Sequence, residues 1–301
     1  MELRQLATFR AVAETLNFTR AAAALGYVQS SVTAQIQALE EELGTPLFDR
    51  LGKRVLLTDA GRRLLAYADR MINLAEEARA VVGESTDPMG TLVISAPETL
   101  CTYRLPALLR EFRSRYPRVR LLLRPAPFAE VRRLVAEGTL DVAFALEEPG
   151  PSSASLHVEP LLTEEMVIVA PPEHPFAARQ RVVTADLEGE PLLLTEIGCS
   201  YRNLFERVLA AGGVRPAATM EFSSIEAIKQ FVMAGMGIAV LPEVTVAADI
   251  AAERLVALRW AGDELRIVTQ IIWHKDKWLS QALVAFLETA REVLAGTVRA
   301  A

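Results

Sequence analysis

The sequence predicts a mixed α/β protein with a small helical N-terminal domain, a long connecting helix and a larger α/β part made of two subdomains. Three observations predict this fold class. The first 60 residues have helical apolar spacing around a glycine turn, residues 59–86 contain no proline, and from Thr91 short apolar runs alternate with amphipathic helices. A chain of 301 residues has room for at least two domains.

The composition excludes several classes of protein. Apolar residues make up 51% of the chain and charged residues 23%, which is typical of a globular protein and not of a disordered or fibrous one. The 2 cysteines are far apart, which favours a reducing compartment over a disulfide framework or a four-cysteine zinc site. We expect a cytoplasmic protein that does not associate with membranes, because the N-terminus does not resemble a secretion signal and no uncharged apolar run reaches about 18 residues.

Two short helices are predicted at the N-terminus. The first ends near Glu14, and its buried face consists of residues spaced three and four apart, namely Leu3, Leu6, Phe9, Val12 and Ala13. Asn17 and Thr19 are residue types that begin helices, and Gly26 suits the left-handed end of an alanine-rich second helix. The turn at Gly26 leads into a third helix, so the order is helix, turn, helix.

The third helix has an unusual outward face. The helix begins at Gln29 and is ended by Gly44. Its buried stripe consists of Val32, Ile36 and Leu39. Its outward side chains are hydroxyls and amides: Gln29, Ser30, Ser31, Thr33, Gln35 and Gln37. A solvated helix normally carries charges, whereas these groups can hydrogen-bond to base edges in the major groove of DNA. The alternative is a small helical packing unit whose third helix is merely polar.

A hairpin with a basic tip is predicted after the third helix, over residues 50–57. A strip of basic side chains runs through this region and beyond it: Arg50, Lys53, Arg54, Arg62 and Arg63. The net charge of the chain is −6, but residues 1–70 carry +1. The sequence therefore predicts phosphate contacts from this strip and base contacts from the third helix. The predicted DNA-binding residues are Thr19, Gln29, Ser30, Ser31, Thr33, Gln35, Arg50, Lys53 and Arg54.

The segments NFTRAAAALGY and QSSVTAQIQALEEELGTPLFDRLGKRVLLTDAG resemble the N-terminal DNA-binding domain of LysR-type transcriptional regulators. The resemblance covers residues 1–88, and a looser similarity continues to the end of the chain. It implies a winged helix-turn-helix over residues 1–58, a linker and dimerisation helix over 59–88, and a two-lobed effector domain over 89–301 that is similar to periplasmic binding proteins. Lobe I would comprise about residues 91–162 and 266–301, and lobe II about residues 163–265.

The resemblance also implies partners: double-stranded DNA, RNA polymerase, a small-molecule effector, and further copies of the chain in a homo-dimer or homo-tetramer. No cofactor is implied.

The connecting helix is predicted to begin after Thr58 and to continue to about Thr86, a length of roughly 42 Å. Its apolar residues follow a heptad seam: Leu64, Ala68, Met71, Ala75, Ala78 and Val82. A second copy of the chain would suit this seam, although an internal helix that covers the C-terminal domain is the alternative. A dimer would place two third helices in successive major grooves, so we expect an operator with interrupted dyad symmetry.

The C-terminal part is predicted to contain parallel sheets, because strands and helices alternate. The predicted strands are 91–96, 119–124, 140–146, 165–170, 192–195, 218–222, 238–241 and 265–273. The predicted helices are 102–115, 128–137, 224–234 and 279–294.

A ligand site is predicted where these strands end, because open α/β sheets bind ligands beyond the carboxyl ends of their strands. The predicted effector-binding residues are Glu98, Thr99, Cys101, Thr102, Phe128, Thr195, Gly198, Cys199, Ser200, Phe222 and Ser223. The family resemblance places Thr99, Phe128 and the loop around Cys199 at the inducer. Plain helix caps are the alternative for Thr99, Ser223 and Ser224. Arg104 and Arg202 could recognise a carboxylate, or could be surface cations.

Motifs for catalysis or metal binding are not found. The chain contains no Gly-x-Ser-x-Gly elbow, phosphate loop or His-Glu-x-x-His motif, and its 3 histidines are dispersed. Cys101 and Cys199 could sense oxidants together, although buried small apolar residues are the alternative. The sequence predicts a non-enzymatic regulator that binds specific DNA and responds to an inducer. An enzyme on a two-lobed scaffold and a solute-binding protein of a transporter remain as alternatives.

The third helix generates a prediction about the salt dependence of DNA binding. Many relatives carry arginine where this chain has Ala34 and Gln37, and Val28 has no side-chain oxygen that could cap the helix. We therefore expect a plot of log affinity against log salt concentration with a slope shallower than about −5, the value for six phosphate contacts. Titrations of operator DNA at several salt concentrations measure this slope, and a value of about −8 would contradict the prediction.

Overall fold

The computed structural model describes residues 1–51, 54–82, 87–149 and 155–296. The chain divides into two compact units, Met1–Thr91 and Leu92–Ala301, which are described separately. Lys53 and residues 83–86, where the connecting helix was predicted to end, lie outside the described residues, as does the side chain of Val82. Within the described part of the chain, no helix is both long and apolar enough to cross a bilayer.

The N-terminal unit has the predicted order of helix, turn, helix and hairpin. Its elements are α1 (Leu3–Thr15), α2 (Phe18–Leu25), α3 (Gln29–Leu43), β1 (Phe48–Leu51), β2 (Arg54–Leu57) and α4 (Asp59–Val82). The Asn17 side chain accepts a hydrogen bond from the Arg20 amide, and Gly26 ends α2 in the left-handed conformation. The two strands pair antiparallel, so the unit is a winged helix-turn-helix.

Aromatic rings fill the centre of this unit. The Phe48 ring lies 5.4 Å from the ring of Phe9 and 5.8 Å from that of Phe18, measured between centroids. The predicted stripe of α3, Val32, Ile36 and Leu39, is buried against them. Leu3 was also predicted to be buried, and this is wrong: it is 43% exposed because it begins α1 beyond the edge of the core.

Helix α4 is anchored to the winged domain at its start. The Thr58 hydroxyl accepts a hydrogen bond from the Gly61 amide at 3.0 Å, as expected of a capping residue. Gly61 itself allows a close approach, because a Cβ atom at this position would lie 2.2 Å from the Leu47 carbonyl oxygen. The first turn of α4 therefore touches the chain that leads into β1.

The predicted heptad seam of α4 is wrong at Ala68. This residue is 0% exposed and lies in the core of the N-terminal domain, together with Ile72 and the half-buried Leu64. The face of the helix that packs on the domain has the same spacing as a coiled-coil seam, so the pattern could not distinguish them. Among the side chains of α4 that the structure describes, the large apolar ones left exposed are Tyr67, Met71 and Leu74.

The first sheet of the C-terminal unit has five strands in the order β4-β3-β5-β12-β6. The strands are β3 (Gly90–Ser95), β4 (Val119–Leu123), β5 (Val142–Glu147), β6 (Leu156–Glu164) and β12 (Ile267–His274). Its helices are α5 (Glu98–Tyr103), α6 (Leu105–Arg115), α7 (Phe128–Ala136) and α11 (Gln281–Gly296). Phe286 of α11 contacts both Phe112 of α6 and Phe144 of β5, so this helix joins the core of the sheet.

Two smaller sheets form the other half of the unit, from β7 (Met166–Ala170), β8 (Pro191–Thr195), β9 (Ala218–Phe222), β10 (Ala239–Pro242) and β11 (Val256–Ala257). Their helices are α8 (Ser200–Ala211), α9 (Ile225–Met233), α10 (Glu243–Ala251) and a 3-10 turn, Thr184–Leu187. A bridge between Leu192 and Ile238 links β8 to the residues before β10, so the two sheets are continuous at this point.

The predicted parallel pairing is present, but it does not extend through all the sheets. β3 pairs with β5 and β8 with β9 in parallel, but β12 runs antiparallel to both β5 and β6. β7 is likewise antiparallel to β10. The chain returns to the first sheet at β12 after completing the second half, and strand direction on such a return cannot be read from alternation alone.

A buried ion pair lies where the chain crosses from β6 of the first sheet to β7 of the other half. β6 ends at Glu164, which is 3% exposed, and β7 begins two residues later. The Glu164 carboxylate accepts hydrogen bonds from Arg104 Nε at 3.1 Å, from Arg104 Nη2 at 2.6 Å and from the Thr269 hydroxyl at 2.7 Å. Arg104 interrupts the single helix predicted over 102–115. Because two of its guanidinium nitrogens are bonded to the buried Glu164, we assign it a structural role and not that of a ligand group.

We expect Arg104→Ala to lower the free energy of unfolding of the C-terminal unit by about 3 kcal/mol, because it leaves a buried carboxylate without its counter-charge. Urea titrations followed by tryptophan fluorescence measure this, since Trp260, Trp273 and Trp278 all lie in this unit. Arg115→Ala is the matched control: its partners Glu111 and Glu292 are exposed, so its loss should be much smaller. Equal losses for the two variants would refute the prediction.

Candidate functional site

Two surfaces carry the side chains that the sequence singled out, one in each unit. The first is the outward face of α3. Gln29, Ser30, Ser31 and Gln37 are exposed, whereas Thr33 and Gln35 are half-buried. Val28 precedes the helix and provides no side-chain cap, as its lack of an oxygen predicts. The face offers uncharged donors and acceptors to a partner.

Two hydrogen bonds fix α3 against its neighbours. The buried Thr8 hydroxyl donates to Gln35 Oε1 at 2.8 Å, and the Thr19 hydroxyl donates to Gln29 Oε1 at 3.2 Å. Gln35 and Thr19 therefore help to position the helix, whatever else they contact. Gln37 is exposed on the same face, and within the described residues its side chain makes no hydrogen bond to α1 or α2.

The hairpin beside α3 presents cations. The Arg50 guanidinium lies over the Phe18 ring, 4.7 Å from its centroid, and Arg54 is exposed on β2. Within the described residues, neither arginine forms a salt bridge. Arg62 differs because it is paired with Asp59 and donates to the Leu57 carbonyl at 2.7 Å. The hydrogen bond and charge of Arg62 lower the pKa of the Asp59 carboxyl.

The second surface is a cavity of about 650 Å³ in the C-terminal unit, formed where strand ends of its two halves face each other. This volume is typical of sites for small molecules. The structure brings most of the predicted effector-binding residues into its wall: Glu98, Thr99, Phe128, Thr195, Gly198, Cys199, Ser200, Phe222 and Ser223.

Cys101 and Thr102 do not line the cavity, so their prediction as lining residues is wrong. Both lie behind residues that do line it: Cys101 Sγ is 3.6 Å from the Ala96 carbonyl oxygen, and the exposed Thr102 hydroxyl is 3.4 Å from Glu98 Oε1. Both cysteines are free and half-buried. Burial, together with the nearby Glu98 charge, raises the pKa of the Cys101 thiol and so disfavours the reactive thiolate.

One end of the cavity is rich in hydroxyl groups. Thr99, Thr195 and Tyr201 are buried there, beside the start of α8. Burial raises the pKa of the Tyr201 phenol well above its usual range, with a further contribution from Cys199, so the phenol is neutral and can donate a hydrogen bond. Ser224, in contrast, caps α9 through the Ala227 amide, so the alternative interpretation as a helix cap holds for this residue.

Thr195 is the informative member of this group. It is 9% exposed, and its Oγ1 lies near the Tyr201 hydroxyl but makes no hydrogen bond of acceptable geometry. The amides in the first turn of α8 also have no carbonyl partner within the helix, and Cys199 offers no side-chain cap. This end of the cavity therefore presents several unused donors, an arrangement that suits an anionic or carbonyl oxygen.

The remaining wall was not foreseen from the sequence. Arg132 of α7 and Glu147 of β5 form an ion pair in the wall, and the apolar side chains of Phe144, Ile197 and Ile225 also line it. Glu147 directly follows the predicted strand 140–146, so the rule that selected Thr99 and Thr195 could have selected it. Tyr201 belongs to the segment that follows the predicted strand 192–195, so the same rule could have selected it as well.

Arg202 does not line the cavity, so the suggestion that it recognises a carboxylate of the ligand is wrong. Its guanidinium is bonded to Glu206 at 2.8 Å, to Glu221 at 2.7 Å and to the Thr195 carbonyl. Two carboxylates thus balance its charge, and its bonds tie α8 to the ends of β8 and β9. Within the described residues, no group of three or more His, Cys, Asp or Glu side chains could hold a metal ion.

Comparisons with known proteins match the chain over nearly its whole length. Residues 3–62 match the family model described as bacterial regulatory helix-turn-helix protein, lysR family, and residues 85–295 match the LysR substrate binding domain. The uncharacterized HTH-type transcriptional regulator YwqM of Bacillus subtilis (strain 168) is 50% identical over 97% of this chain and 99% of its own length.

Solved structures give the same picture. Full-length CbnR in complex with its target DNA is similar with a TM-score of 0.68 and 26% identity, over 97% of this chain and 100% of that chain. A probable transcriptional regulator from Pseudomonas aeruginosa has a TM-score of 0.75 at 20% identity, over 97% of each chain, which supports the fold.

We expect Thr195→Val to raise the free energy of unfolding of the protein without ligand by about 1 kcal/mol, because it removes a buried hydroxyl that has no partner. Thr269→Val is the matched control: its hydroxyl donates to Glu164, so its removal should lower stability by about 1 kcal/mol. Urea titrations by tryptophan fluorescence compare the two. Destabilisation by Thr195→Val would show that its hydroxyl is satisfied within the protein.

Proposed function

Because the chain belongs to the LysR family of bacterial transcriptional regulators, we propose that it binds double-stranded DNA through α3 and the adjacent hairpin, and that a small molecule in the 650 Å³ cavity alters this binding. The observation that carries the proposal is the pairing of an uncharged, exposed α3 face with unpaired arginines on the neighbouring strands. Base edges accept hydroxyls and amides, whereas phosphates attract arginine.

The DNA arrangement has support from the similar protein CbnR, whose structure was determined with its target DNA. In this chain, Ser30, Ser31 and Gln37 would contact bases, with Thr33 at the edge of the contact. Arg50 and Arg54 would contact the backbone, as would Lys53, which the structure does not describe. Gln29 and Gln35 each accept a bond within the domain and keep their amide donors for a base.

The exposed side of α4 supports an oligomer. Tyr67, Met71 and Leu74 recur at steps of four and three and lie apart from the core of the N-terminal domain. A second chain that packs on them would bring two copies of α3 to one duplex, so the operator would be an interrupted dyad. RNA polymerase would contact this oligomer at the promoter.

The effector would act through the two halves of the C-terminal unit, because the cavity takes its wall from both. A ligand that touches Thr99 on one half and Thr195 on the other stabilises one arrangement of the halves over another, and it can shift the equilibrium only by its difference in affinity between them. This mechanism requires no catalytic step, so we assign no enzyme activity and place the protein in the cytoplasm with its DNA.

Two rival functions use the same cavity. A solute-binding protein or an enzyme on a two-lobed scaffold would bind a small molecule between the halves, but neither gives a role to α3 and its hairpin. A regulator uses both surfaces.

We expect Gln37→Ala to weaken binding to the specific operator by about 1–3 kcal/mol while binding to unrelated DNA is unchanged, because it removes a base contact. Arg54→Ala should weaken both kinds of binding and reduce the salt slope by about one, because it removes a phosphate contact. The two variants control for each other in anisotropy titrations with a footprinted upstream fragment. The absence of any protected fragment, at every salt concentration tested and with or without cell metabolites, would refute DNA binding itself.

A further inference from the structure

The cavity carries an excess of negative charge. Its lining includes three carboxylates, Glu98, Glu147 and Glu196, but a single guanidinium, that of Arg132. Arg132 is already paired with Glu147. Within the described residues, no Lys, Arg or His nitrogen lies within 4 Å of the Glu98 or Glu196 carboxylate. Two carboxylates in the wall therefore have no counter-charge.

Glu98 is the better placed of the two. It begins α5, next to Thr99 of the hydroxyl-rich end, and among the described residues its carboxylate accepts only a long hydrogen bond, from the Thr102 hydroxyl at 3.4 Å. Burial raises the pKa of the Glu98 carboxyl, and the Glu226 charge adds to this effect. Lys229, whose charge also acts on Glu98, is held by Glu226 and by Asp249 at 2.8 Å each, so it is not available to neutralise Glu98.

Hydrogen-bond donors also line this cavity. The Thr195 hydroxyl, which has no partner, and the open first turn of α8 offer donors, and the Thr99 hydroxyl and the Tyr201 phenol lie beside them. Glu98 and Thr99 both line the cavity at the start of α5, so we place the site for a cation in the same cavity as the site for an anion. A group that carries both charges on neighbouring atoms would satisfy both sites, whereas a dianion would face uncompensated repulsion from Glu98 and Glu196.

The rest of the wall is apolar. Ile197, which is 79% exposed, follows β8, and Phe128 stands at the start of α7 on the other half. Large side chains exposed in a cavity indicate a surface that a ligand covers. The ligand should therefore have an apolar body next to its charged end.

We propose that the cavity binds an α-amino acid with a large apolar side chain. Its ammonium group faces Glu98, its carboxylate faces the hydroxyls beside the start of α8, and its side chain lies against Phe128 and Ile197. This inference rests on the proposed function, since it names the chemical class of the effector.

The test uses three matched series of probes on the full-length chain, measured by calorimetry and thermal shift. The amino acids are L-phenylalanine, L-leucine and L-methionine. The acids without the amine are 3-phenylpropanoate, 4-methylpentanoate and 4-(methylthio)butanoate. The amines without the carboxylate are 2-phenylethylamine, 3-methylbutylamine and 3-(methylthio)propylamine. We expect an amino acid to bind at least tenfold more tightly than its two counterparts.

Glu98→Gln should weaken amino-acid binding by about ten- to a hundredfold and leave the acids unaffected, because it removes a charged hydrogen bond to the ammonium. Glu173→Gln, an exposed carboxylate outside the cavity, is the matched control and should change nothing. Retention of full amino-acid affinity by Glu98→Gln would overturn the assignment.

The remaining outcomes separate this inference from the proposed function. If the acids bind as tightly as the amino acids and lose affinity in Thr195→Val, the cavity is an effector site but the ligand class is wrong. If no probe binds at millimolar concentration, the amino-acid assignment is overturned, while operator footprinting reports on DNA binding independently.

Discussion

A buried carboxylate holds together the point at which the chain passes between the two halves of the C-terminal unit. Glu164 lies at the end of β6, and a guanidinium and a hydroxyl satisfy it from two other elements. Burial of a charge is costly unless its hydrogen bonds are complete, so this cluster fixes where the first sheet stops. The cavity depends on it, because its two walls belong to the sheets that meet at this crossing.

Other ion pairs of the unit also join elements within the protein. Their cations are therefore not available to a ligand in the cavity. Arg202 is used to join α8 to β9, and Lys229 joins α9 to α10 through Asp249. Once these cations are committed, the positive groups that the cavity can offer are backbone amides and hydroxyl hydrogens. The Glu98 and Glu196 carboxylates lie in the same wall, so the cavity presents both hydrogen-bond donors and negative charge.

The sequence predicts local structure well where the apolar side chains follow a single regular spacing. The buried stripe of α3 and the glycine ends of α2 and α3 follow from side-chain spacing and backbone freedom. The prediction fails where a coiled-coil interface and a packed domain face require the same apolar spacing. Ala68 has coiled-coil spacing but packs on its own domain. β6 was not predicted because its burial is irregular, and the antiparallel entry of β12 depends on chain return. Likewise, strand ends located the cavity, but the order of strands and helices could not show that Cys101 and Thr102 do not line it.

The position of Ala68 and Ile72 has a practical consequence for dissecting the protein. The helix-turn-helix family model ends at residue 62, yet both residues are buried in the hydrophobic core of the winged domain. A fragment cut at that boundary would expose this core and lose the packing of α4 on α1. An excised DNA-binding fragment therefore has to keep α4 at least through Ile72, and a fusion junction placed closer to the hairpin would yield an unstable product.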